Sequence, residues 1–211
     1  MKIAKQIEEK GILAKLLEKG IEIFLKKECK KIGKIKIDIA ASSTQVIKGI
    51  IKKIHIIAED INYKDLLFDK IELEANDINI IFNLHNKELN FKNNFSIQFK
   101  ISLSENSLKT ILLSNNWNWI GAIISRKIFN QDKLEDISIT NNQIIITTSK
   151  EQTNDNKGGK VSIIIKKGKL YLESKESSKF VKIPIEDKVF IEKININNNL
   201  INIYAKSSVS L

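Results

Sequence analysis

Apolar and polar residues alternate through most of this chain, and the alternation slips twice in the same way. One copy of the pattern reads Ile54-His55-Ile56-Ile57-Ala58-Glu59-Asp60-Ile61-Asn62-Tyr63. The second, seventeen residues on, reads Ile71-Glu72-Leu73-Glu74-Ala75-Asn76-Asp77-Ile78-Asn79-Ile80. In the first, Ile54, Ile56 and Ala58 are even-numbered, while Ile61 and Tyr63 are odd. In the second, Ile71, Leu73 and Ala75 are odd, while Ile78, Ile80 and Phe82 are even. Strand side chains alternate faces, so a change of parity turns the apolar set to the wrong side. An extra residue, a β-bulge, repairs this by letting two residues oppose one. Both copies need the repair just after the alanine. Matched bulges on neighbouring strands bend a sheet, so the pattern predicts a strongly curved antiparallel sheet.

The N-terminal stretch has a different period. Ile3, Ile7, Ala14, Leu17, Ile21 and Phe24, joined by Leu13 and Leu25, fall on one stripe at about 100° per residue. This predicts an amphipathic helix from residue 1 to about 31, ended by Gly33, with its stripe on the concave face of the sheet. Its lysine-rich opposite side also suits a helix lying on an anionic membrane. Ile35, Ile37 and Ile39 predict a half-buried strand. Residues 45–53 predict a short helix, and Leu66-Leu67-Phe68 a short strand or loop capping the sheet end. Phe95, Ile97, Phe99, Ile101 and Leu103 alternate without a fault, the cleanest strand in the chain. Ser104 caps a second helix at about 105–129, in two pieces separated near Asn115-Asn116. Hairpins are predicted across Asn141-Asn142, across Gly168 and across 197–199, with a flexible loop at 151–160. Pro184 marks an edge or connecting piece. The fold class is α+β, a single domain over 1–205 with a frayed tail at 206–211.

The basic residues are 34 Lys and Arg126, and the formal net charge is +10. Such a chain is drawn to nucleic acid or anionic lipid. Arginine forks, exposed aromatic stacking motifs and known nucleic-acid modules are missing, which argues against nucleic acid as a partner. Cys29 stands alone, so no internal disulfide forms and no cysteine metal cluster exists. Lysines and glutamates interrupt any signal-peptide core, so a cytoplasmic location is expected, peripheral on the inner face of a membrane.

Further patterns fall at residues 32–82. A strand leads to Val46-Ile47-Lys48-Gly49-Ile50, then to Ile54-His55-Ile56 with Ala58 and Asp60. Leu67-Phe68-Asp69-Lys70-Ile71-Glu72-Leu73 and Asp77-Ile78 follow. Leu103-Ser104-Glu105 with Leu108, and the hairpins 161–172 and 194–205, complete the series. Over roughly residues 1–205 this resembles the LmeA-like phospholipid-binding family. The resemblance implies a tubular lipid-binding fold, in which a curved antiparallel sheet wraps a long helix, and lipid binding as the activity. Many members are exported, whereas this chain shows no export signal.

The inventory of reactive groups points away from an enzyme. His55 and His85 lack nearby partners at metal-ligand spacing, no phosphate-binding glycine loop exists, and no cofactor is expected. Glu59 and Asp60 are adjacent in a strand and so face opposite ways. The candidate site is apolar. Phe95, Ile97, Phe99 and Ile101 on the sheet, with Leu17, Ile21 and Phe24 on the helix, are the expected lining of an acyl-chain groove. Trp117, Trp119 and Ile120 are the expected membrane contacts, with Lys48, Lys52 and Lys53 attracting headgroups. The leading expectation is a non-enzymatic phospholipid-binding protein. The alternative is a scaffold with a filled core that binds a protein partner through its Lys-rich face.

Overall fold

The computed structural model describes residues 11–83, 88–150 and 157–210. The expected first turns of the N-terminal helix, with Ile3 and Ile7, lie outside the described residues, as do His85 and positions 151–156 of the expected loop. Helix α1 (Ile12–Glu28) is followed by β1 (Lys31–Ala40), α2 (Ser43–Ile47), β2 (Ile50–Tyr63), β3 (Leu66–Asn83), β4 (Glu88–Phe91) and β5 (Phe95–Ser104). Then come α3 (Glu105–Leu113), α4 (Asn118–Ile124), a π-helical turn (Ser125–Phe129), β6 (Lys133–Thr140) and β7 (Gln143–Ser149). The chain closes with β8 (Lys157–Lys166), β9 (Lys169–Ser174), β10 (Phe180–Lys182), β11 (Val189–Asn197) and β12 (Leu200–Val209). The fold is α+β, mostly antiparallel sheet with an N-terminal helix.

Two open sheets result. The first has the order β1-β2-β3-β5-β12-β11, with β4 added to the far end of β3; the second has the order β10-β9-β8-β7-β6. Tight turns explain the hairpins. Lys64-Asp65, Asn141-Asn142, Lys167-Gly168 and Asn198-Asn199 all have positive φ, the backbone that two-residue hairpin turns demand. Ser104 caps α3 by accepting from the Ser107 N–H, as its position predicts. Ser42 and Gln45 form a reciprocal capping box at α2.

Several expectations change. Gly33 does not end the helix but lies inside β1. Leu66, Leu67 and Phe68 open β3, because the turn is only two residues long. Residues 157–160 belong to β8, not to a loop. The tail is not frayed to its end, since β12 pairs with β5 as far as Val209↔Phe95.

The parity faults are real, but no extra residue repairs them. The β2–β3 register is one-to-one on both sides of each fault, from Ile50↔Asn79 to Tyr63↔Leu66. The β1–β2 register is equally continuous, from Lys31↔Asn62 to Ala40↔Lys53. Instead Asp60 (φ 54°) and Asp77 (φ 53°) adopt left-handed backbone. Asp is one of the few residues that tolerate it. Each sits opposite a residue on the neighbouring strand where the apolar parity also changes. Lys52 lies across from Asp77, between the rungs Ile51↔Ile78 and Lys53↔Asn76. Ile51 and Ile54 therefore reach the same core, as do Ala75 and Ile78. True one-residue register shifts occur elsewhere, at Glu135 in β6 and Glu192 in β11.

Two apolar cores form. One joins α1 to the first sheet through Ala14, Ile39, Ala41, Ile51, Ala75 and Ile78. The other joins α3, α4 and the second sheet to the opposite end of the first sheet, through residues such as Leu112, Ile124, Ile146, Val161 and Ile201.

Candidate lipid and membrane contact site

The first sheet is amphipathic across its width. Directly paired residues share a face, so the registers assemble apolar rungs. Ile39, Ile54, Ala75 and Ile97 make one. Ile37, Ile56, Leu73, Phe99, Ala205 and Ile191 make the next, running through all six strands of the sheet's main path. Ile35, Ala58, Ile71, Ile101, Ile203 and Ile194 make a third.

The opposite face is charged. Asp38, His55, Glu74, Gln98 and Lys206 form one of its rungs. Lys53 bonds Glu74 at 2.6 Å and Lys70 bonds Glu72 at 2.7 Å. The Lys70 ammonium holds the Glu72 carboxyl below its ordinary range, aided by Lys100 and His55 and opposed by burial. A depression of about 220 Å³ on this face is lined by His55, Glu72, Glu74, Gln98, Lys100 and Tyr204 among others. Among the described residues, no group of three or more His, Cys, Asp or Glu is arranged to hold a metal.

Helix α1 lies against the apolar face beside β1. Its start is wedged at Ser42-Ser43, where a Cβ on Gly11 would come within 2.4 Å of the Ser43 nitrogen. Glu18 accepts from the Ile39 N–H at 2.7 Å, satisfying a main-chain donor on the edge strand. Lys30, just past the helix, bonds Asp65 at 2.6 Å. Leu17, Ile21, Phe95 and Ile97 all pack, partly buried, against the α1 core.

Phe24 does not join them and is 59% exposed. The helix is seated at Ala14, its one fully buried residue, and Phe24 is ten residues further along, about 15 Å. Phe99 and Ile101 also leave the expected grouping. Ile101 packs on the second core. Phe99, with Ile35, Ile56, Ile71 and Leu73, is half-buried and belongs to neither core. These five residues form an apolar panel between the two covered ends of the sheet. The alternation of each strand was legible; the cross-strand registers that line the panel up were not.

The tryptophan group divides as well. Trp117 is half-buried on the second core, and its Nε1–H donates to the Lys64 carbonyl at 2.9 Å. Ile120 packs on the same core. Trp119, its ring tilted 34° to that of Trp117 at a centroid distance of 6.5 Å, remains 43% exposed. Of the lysines, Lys53 is held by Glu74, while Lys48 and Lys52 are exposed on either side of β2's first residues. Sequence reasoning passed over Ile12, Leu16 and Ile23. All three are at least 60% exposed on the outer side of α1. Their mutual spacing of four and seven was the available signal.

No described helix is long and apolar enough to cross a membrane. The chain matches no protein-family model, no curated protein and no solved structure.

Proposed function

We propose that this protein is a non-enzymatic lipid-binding protein that associates peripherally with anionic membrane. Its resemblance to the LmeA-like family points the same way. The observation that carries the reading is the apolar panel of Ile35, Ile56, Ile71, Leu73 and Phe99, half-buried between two closed cores. Covering such a surface with an acyl chain removes it from water at roughly 0.8 kcal/mol per buried methylene. In this reading the first sheet curves around the panel, with α1 as one wall. The acyl chain lies along Phe99 and Leu73 beside the α1 core on which Leu17, Ile21, Phe95 and Ile97 pack, and lysines hold the headgroup.

The test is organic extraction of the purified protein followed by mass spectrometry. Phospholipid that co-purifies with the wild type and is lost in Phe99→Asp supports the reading. Lipid-free protein at every purification scale overturns it.

A second reading is a scaffold that binds a protein partner. It draws support from the closed contact of Ala14 with Ile39, Ile51, Ala75 and Ile78, which leaves no room beneath that turn of the helix.

A further inference from the structure

The outer side of α1 is apolar where a solvent-facing helix is ordinarily polar. Ile12 is 75% exposed, Leu16 62%, Ile23 60% and Phe24 59%. At about 100° per residue, Ile12, Leu16 and Ile23 fall within about 40° of one another. This stripe is distinct from the Ala14–Leu17–Ile21 stripe that faces the sheet, so α1 carries two apolar faces. Next to its N-terminal end, α2 adds Ile47, 76% exposed, and then Lys48.

The charges around the stripe are sorted. Lys15, Lys19 and Lys26 line one flank, and Lys27 stands at the other edge. The described acidic residues of α1 are turned away or neutralised: Glu18 bonds the Ile39 N–H, Glu22 is closed between Lys19 at 3.0 Å and Lys26 at 2.7 Å, and Glu28 falls more than about 100° from the stripe. Those two ammonium groups hold the Glu22 carboxyl below its ordinary range. A second copy of the chain docked on this face would set the same lysines against each other, with no acidic rim among the described residues to meet them. An anionic bilayer meets both features at once. Its acyl boundary accepts the apolar stripe, and its headgroups accept the lysines, whose long stems reach outward from an immersed helix.

We infer that the outer stripe of α1, with Ile47 and Lys48, is the surface by which the protein docks on an anionic membrane. This rests on the lipid-binding reading and gives it a docking face. The helix lies in the headgroup plane, with Ile12, Leu16 and Ile23 inserted and Lys15, Lys19, Lys26 and Lys27 at the phosphates. Trp119 lies outside this surface and is not needed for docking.

The experiment is co-flotation with vesicles of phosphatidylglycerol and phosphatidylcholine, compared with phosphatidylcholine alone. Wild type should float with the anionic vesicles only. The double variant Leu16→Glu, Ile23→Glu should lose at least about tenfold in partitioning, while Trp119→Glu floats as wild type does. Both altered side chains are solvent-exposed, so circular dichroism and the thermal midpoint should be unchanged. Equal flotation of a folded double variant overturns the docking face and leaves the lipid reading standing. Failure of the wild type to float also overturns it, and lipid extraction then judges the lipid reading separately. A dimer in light scattering that the double variant dissolves would assign the stripe to a second copy and overturn the inference.

Discussion

Gly33 on β1 stands directly across from Asp60 on β2, and a Cβ placed on Gly33 would come within 2.8 Å of an Asp60 carboxylate oxygen and 2.9 Å of its Cβ. The rung where the apolar parity turns over is thus built from one residue without a side chain and one with left-handed backbone. Gly33→Ala should destabilise the protein by about 1–3 kcal/mol through this crowding. Asp60→Gly should be neutral or stabilising by up to about 1 kcal/mol, because Gly enters the left-handed region without penalty. Urea unfolding of the two variants measures both. Equal destabilisation by both would contradict this account of the rung.

Gly49 and Gly20 bracket the range that glycine replacement should show. At Gly49, φ is +73° and a Cβ would meet the Ile80 carbonyl oxygen at 2.0 Å. Neither backbone can yield without breaking the Ile80 N–H bond to the Gly49 carbonyl. Gly49→Ala should cost about 3 kcal/mol or more. Gly20 has open space within 4 Å and lies mid-helix. Gly20→Ala should stabilise by roughly 0.5–1 kcal/mol. Thermal midpoints should therefore move in opposite directions.

Trp117 and Trp119 should respond differently to the same treatments. Trp117→Phe removes the donor to the Lys64 carbonyl, a loss of about 1 kcal/mol. Trp119→Phe should be within about 0.5 kcal/mol of wild type. Acrylamide should quench the fluorescence of Trp117→Phe, which retains Trp119, more steeply than that of Trp119→Phe. The reverse order would mean that Trp117 is not the sheltered ring.

Acid should weaken the fold. Glu72 and Glu74 are held below their ordinary 4.5 by bonds from Lys70 and Lys53 respectively. Asp136 is held below its ordinary 3.8 by Lys109. A carboxyl whose folded pKa lies below its unfolded one contributes stability that is present above the unfolded value and lost as pH falls through the folded one. Unfolding free energy should therefore be flat near neutrality with respect to these groups and should decline below about pH 4.5. The groups are largely exposed, so the slope should be shallow and should shrink with salt. Glu72→Gln should flatten it further. A denaturant series across pH 3 to 7 (roughly the span set by these groups) measures the slope.

Much of the fold was legible because its signals are local. Asn141-Asn142 and Asn198-Asn199 announce turns by residue type, and Ser104 announces a helix start by position. The repeated Ala-x-Asp-Ile-Asn located both parity faults. Their repair was misread because a one-residue insertion and a single left-handed residue leave the same trace in sequence. The aspartate at both sites was the discriminating signal. Helix α1 was read as carrying one stripe because Phe24 is in phase with Leu17. Only the seating at Ala14 separates Phe24 from the core and reveals Ile12, Leu16 and Ile23 as a face of their own. The burial of Trp117 depends on the Lys64 carbonyl, fifty-three residues earlier in the chain, and no local pattern records that meeting. The panel around Phe99 is likewise a product of register across several strands.

Helix α1 is joined to β1 through only Cys29 and Lys30, and Lys30 is itself pinned to the β2–β3 turn at Asp65. So short a joint lets the helix pivot but not slide. Movement away from the sheet is then the swing of a hinged flap, with Glu28 nearly still and the Gly11 end tracing the widest arc. The segment farthest from the pivot, with Ile12 and Leu16, travels most, and it is the end that the wedge at Ser42-Ser43 holds shut.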